Sequence, residues 1–117
     1  MALTKITSGV IAQEFTSASN LVSAASVSID WNFSQIFRIT PNHSITFSFT
    51  DYKIGMVKII IATGGGGSNT LTFPSEAIPL SDQAYDDTAG VKNFIQIVCT
   101  DDDGTPEFYY TIAKEVT

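Results

Sequence analysis

From Val27 to Phe49 the apolar side chains fall on nearly every second position. Val27, Ile29, Trp31 and Phe33 share one parity, Phe37 and Ile39 follow, and Ile45, Phe47 and Phe49 resume after the break at Pro41 to His43. A strand sends successive side chains to opposite faces, so this pattern predicts sheets with one wet face and one buried face. It constrains the fold class more than any other feature of the chain. No catalytic constellation accompanies it.

Seven strand candidates follow from the same reading: 26–32, 35–40, 44–50, 56–62, 69–73, 93–100 and 107–113. Between them lie turn-rich spacers, including the four glycines 64–67 and the run Asp101-Asp102-Asp103-Gly104-Thr105-Pro106. Short strands at this spacing predict an all-β, antiparallel β-sandwich of about seven to eight strands, jelly-roll-like, over residues 26–117. Segments 56–62 and 94–99 are nearly continuously apolar, which makes them the expected central strands, covered on both faces or at an interface. Trp31 is the expected core anchor. Residues 74–92 form one long interval without a clear helix, as a functional loop or a crossover between sheets would.

Residues 1–25 read differently. Their apolar residues follow no clear period, and Ser, Thr and Ala dominate the end of the segment. An extended N-terminal arm, with one helical turn at most, is expected there. An arm carrying Ile6, Val10, Ile11 and Phe15 is too apolar to float free, so these are its candidate attachment residues.

One hundred and seventeen residues suit one domain, large enough for a core without staples. Charged residues are 15% of the chain, below the usual quarter, which suggests apolar surface covered by a partner or by further copies. The net charge of −6 argues against a nucleic-acid partner, which needs a basic face, and against anionic membranes. No segment has the length of a membrane span or a signal peptide's apolar core, so synthesis in the cytoplasm is expected.

The motifs favour bland chemistry. Glycines 64–67 lack the lysine and helix of a phosphate loop, and a flexible hairpin tip is the expected role. Asp101, Asp102 and Asp103 lack the alternation of a calcium loop, and a solvated turn is expected. Cys99 sits in an apolar run with no basic partner, and the single histidine, His43, lies in a turn; neither makes a nucleophile. No catalytic residue, cofactor or metal is expected, and the chain is not expected to be an enzyme. Tyr85 and Tyr109 are the candidate ligand-surface residues, since each can present an aromatic face to a sugar.

The opening LTKITSGVIAQEFTSASNLV resembles the starts of bacteriophage tail-fibre and head-fibre proteins. The remainder resembles a β-sandwich module of fibre ends and capsid-decorating proteins, through Asp30, Trp31, Phe37 to Thr40, Asn42 to Phe49, Gly55, Ile59 to Ile61, Gly67 to Pro74 and Gly104 to Tyr110. The resemblance implies a virion structural protein, a capsid decoration (cement) protein or a short head or tail fibre. It implies a homotrimer on the virion surface, with capsid or other virion proteins as partners and the arm as its attachment. A receptor- or glycan-binding module of a phage adhesin, contacting a host surface glycan, is the alternative.

Overall fold

Alternating burial runs through the long strands of the computed structural model, which describes residues 13–116. After a helical turn, α1 (Gln13–Thr16), come β1 (Ala18–Asn20), β2 (Ser26–Asp30), β3 (Ile36–Ile39), β4 (Ile45–Thr50) and β5 (Val57–Thr63). Then follow β6 (Leu71–Thr72), β7 (Ala77–Pro79), β8 (Lys92–Asp101) and β9 (Glu107–Lys114). The order β1-β3-β5-β8-β9-β7 makes a six-stranded sheet, and β2-β4-β6 makes a three-stranded sheet. All seven segments expected from the alternation are strands, with ends shifted by a few residues.

The pairing departs from the antiparallel expectation. Of the seven pairs among the described residues, β1–β3, β2–β4, β3–β5, β4–β6 and β7–β9 are parallel; β5–β8 and β8–β9 are antiparallel. Successive strands from β1 to β6 alternate between the sheets, so each strand lies beside the next but one. A parallel pair needs a crossover, and here the crossover is a strand of the opposite sheet. Ala18 pairs with Ile36, Ser26 with Thr46, Ile36 with Ile59 and Ile45 with Leu71, so partners sit 18 to 26 residues apart. The jelly-roll order, which is built from antiparallel neighbours, is therefore corrected: this is a two-sheet coil closed by the hairpin β8–β9.

Two strands fall where none was expected. β1 lies inside the segment 1–25 read as an arm, and its Leu21 N–H continues the ladder to Arg38 O at 2.8 Å. Residues 1–12, with Ile6, Val10 and Ile11, lie outside the described residues. β7 lies in the long interval 74–92 and pairs with β9. Both are three-residue edge strands, and β7 ends in Pro79; short edges of this kind resist further strand addition.

The core lies between the sheets. Val27, Ile29, Ile45 and Phe47 from one sheet meet Phe37, Ile39, Ile60, Ala62, Ile95, Ile97 and Phe108 from the other. Trp31 is fully buried, with ring centroids 5.4 Å from those of Phe49 and Phe108 and 6.4 Å from that of Tyr52. Its parity-mate Phe33 is not buried (57% exposed), because the chain turns at Trp31 to Phe33 and the strand period ends there.

Candidate functional site

Two surfaces are candidates for a functional site, and the fold builds each from residues distant in sequence. The first is the glycine loop. It connects β5 to β6 across the two sheets, so it is a crossover and not the hairpin tip expected. Nor is it loose. Asp87 Oδ1 accepts the Gly65 N–H at 3.0 Å and the Tyr85 hydroxyl at 2.6 Å. Its other oxygen, Oδ2, accepts the Gly67 N–H at 3.0 Å and the Asn69 N–H at 2.8 Å. The loop thus offers converging backbone N–H groups, as anion-binding nests do, and a carboxylate of the same chain fills them.

Glycine is needed here for close approach. A Cβ on Gly64 would stand 2.0 Å from Thr88 O, and one on Gly65 would stand 2.2 Å from Pro41 O. Gly66 and Ser68 take φ of 86° and 58°, which turns the backbone around the carboxylate. Beside it, Asn93, fully buried on β8, receives the Asp86 N–H on Oδ1 at 2.8 Å and donates through Nδ2 to Ala62 O and Asp86 O at 3.1 and 2.9 Å. Asp86 is further paired with Lys114 Nζ at 2.6 Å.

Burial alone would raise the Asp87 carboxyl. The hydrogen bonds from Tyr85, Gly65, Asn69 and Gly67 overcome it and hold the group below its ordinary value. Tyr85 is pushed up, first by burial and then by its bond to Asp87 and that residue's charge. The Lys114 ammonium, then Thr88, hold Asp86 well below the carboxylate range. In front of this cluster lies an open groove of about 760 Å³, lined among others by Ser68, Asn69, Thr70, Gln83, Tyr85 and Asp86.

The second surface is the outer face of the six-stranded sheet. Register places Ile78, Tyr109, Val98 and Val57 in one row across four strands. Thr111, Gln96, Ile59 and Ile36 form the next row, and Ala113, Phe94, Ile61 and Arg38 the third. Phe94 is 45% exposed, Ile78 40% and the neighbouring Leu80 61%. Leu80, Val57, Val98 and Tyr109 line a shallow depression of about 200 Å³. The outer face of the other sheet is the opposite in character: Ser26, Ser28, Asp30, Thr46, Ser48 and Thr50 are all exposed. One face of this sandwich is built for water and the other is not.

The expected site residues separate accordingly. Tyr85 lines the groove by the glycine loop, and Tyr109 lies on the apolar sheet face; the fold does not bring them together. Phe15 is half-exposed, with its ring centroid 5.3 Å from the ammonium of the buried Lys58, whose Nζ also donates to Gln35 Oε1 at 3.5 Å. In the Asp101 to Asp103 turn, Asp101 Oδ1 accepts the turn's own Asp103 N–H, and Asp102 Oδ2 accepts the Ile54 N–H of the loop before β5. Asp30 raises the neighbouring Asp51 carboxyl, first because the protonated form can hydrogen-bond to it and then through its charge. In the sequence Asp87 reads, with Asp82 and Asp86, as a solvated loop acid; the sign available for its clamp was an acid inside a long interval opposite an unexplained glycine run. The chain matches no protein-family model, no curated protein and no solved structure.

Proposed function

We propose that this chain is a structural subunit of a bacteriophage particle, decorating the capsid or forming a short head or tail fibre, and non-catalytic. The observation that carries the reading is the contrast between the two sheet faces. A face holding Phe94, Ile78, Tyr109, Val98 and Val57 beside a Ser/Thr-rich opposite face suits a protein that works covered by other protein. The sequence resemblance to fibre and decoration modules supports the same reading. Attachment is assigned to the N-terminal arm, residues 1–25 with Ile6, Val10, Ile11 and Phe15, and is tested on residues 1–12, which precede α1 and the edge strand β1 in the chain.

The test is to label the protein on the parent particle and image it. Surface labelling that is lost when residues 1–12 are deleted, with circular dichroism unchanged, supports the reading. A particle without the protein overturns it.

The groove before Tyr85 favours a second reading, a glycan-binding module. Its ring, with Asn69, Gln83 and Thr70 on the same rim, offers stacking and hydrogen bonds to a sugar. A glycan array probed with the assembled protein decides it: hits abolished by Tyr85→Ala support this role, and an empty array removes it.

A further inference from the structure

We infer that the apolar outer face pairs with the same face of a second copy, across a two-fold axis that sets the β8 strands antiparallel. This rests on the proposed role as a particle subunit, names a contact surface for it, and takes a two-fold in place of the three-fold that the resemblance implies.

Three features single out a second copy as the occupant. The first is charge layout along β8. At the start of that strand, Lys92 and Arg38 line one groove of about 490 Å³, and neither is ion-paired among the described residues. Of the acids at that end, Asp86 is ion-paired with Lys114, Asp87 is turned into the glycine loop, and Glu115 lies beside Lys92, accepting its N–H at 2.8 Å, so Lys92 and Arg38 outnumber it there. At the opposite end lie Asp101, Asp102, Asp103 and Glu107. The middle rows carry no acid. The face is thus basic at one end, apolar in the middle and acidic at the other. An antiparallel copy presents its acidic end to the basic end, twice over, and the chain meets its own complement.

The second is shape. An axis through the Thr111–Gln96–Ile59 row exchanges the row of Phe94 with the row of Val98 and Tyr109. The protruding Phe94 of one copy then faces the depression that Val57, Leu80, Val98 and Tyr109 line on the other. The third is area. The 35 residues of the six strands, at about 3.3 Å by about 4.8 Å each, give on the order of 550 Å² per copy, at the lower end of the range for specific interfaces.

Sedimentation equilibrium of the full chain tests the pairing. A dimer at micromolar concentration is expected, and Phe94→Glu should give a monomer with unchanged circular dichroism. Lys92→Glu should weaken self-association about tenfold, as one opposed charge per contact would. Adding Asp103→Lys to that variant should restore it. A monomeric wild type, a trimeric mass, or a dimer insensitive to Phe94→Glu overturns the pairing. None of these touches the particle-labelling result, so the two readings fail separately.

Discussion

The Tyr85 hydroxyl donates a 2.6 Å hydrogen bond to Asp87 Oδ1, the same oxygen that receives the Gly65 N–H. One side chain therefore ties the long interval 74–92 to the crossover between the sheets. Asp87→Asn keeps the shape but turns an NH2 toward backbone donors. It should cost about 2–4 kcal/mol in urea unfolding, the range for breaking a buried charged network. Tyr85→Phe removes a single donor and should cost about 1 kcal/mol.

Acid sensitivity follows from the same carboxylates. Asp86 and Asp87 are both held below the ordinary carboxylate range in the folded chain. Near pH 4 the unfolded chain takes up protons that the folded chain refuses, so stability rises with pH there. Their contribution is complete above about pH 4 and is lost as pH falls through the folded-state values. Urea midpoints measured from neutral pH downward should fall below that point, and Asp87→Asn should flatten the slope. A slope identical to wild type would remove Asp87 from this account.

The glycines separate into two kinds. Gly64→Ala and Gly65→Ala drive a methyl into the Thr88 and Pro41 carbonyls and should abolish or severely reduce folding. Gly55→Ala and Gly104→Ala have open space but φ of 90° and 63°. Each should cost only about 1–2 kcal/mol, the strain of an L-residue in that region. Thermal melts of the four variants check the ranking.

The Cys99 thiol is fully buried, and that burial pushes its pKa up. Its reaction with a disulfide reagent at neutral pH should be very slow in the native protein and rapid in denaturant. Fast labelling without denaturant would mean that the β8–β9 hairpin opens.

Among the described residues Trp31 Nε1, a buried donor, has no hydrogen-bond acceptor, and it is enclosed by the rings of Phe49, Tyr52 and Phe108. Its emission should be strongly blue-shifted and should move red on unfolding. Trp31→Phe relieves the orphan N–H while opening a gap, for a net loss of about 1–3 kcal/mol by denaturant titration.

The strands were legible because a period of two survives any topology. Val27, Ile29, Phe37, Ile45 and Phe47 are buried as their parity demands, and β5 and β8 lie side by side at the centre, as their continuous apolar runs imply. Pairing direction was not legible. The connection from β3 to β4 carries Pro41, Asn42 and His43 whether it turns back as a hairpin or crosses to the other sheet. β1 and β7 were missed because three residues are too few to establish a period. The Asp87 clamp joins residues about twenty positions apart, and only the folded backbone brings Gly65 and Gly67 onto one carboxylate.

The interleaving of β1 to β6 also dictates the order in which this protein can acquire its shape. No two consecutive strands among those six pair with each other, so no local hairpin can form there and wait for the rest. The first antiparallel partners, β5 and β8, stand some thirty residues apart, and the one short-range pair among the described residues, β8–β9, follows all six of those strands. On the ribosome, the N-terminal two thirds can pair only through parallel ladders between residues 18 to 26 positions apart, and the antiparallel ladders wait for β8 and β9. Refolding should accordingly be slow, on the millisecond-to-second scale of non-local β proteins.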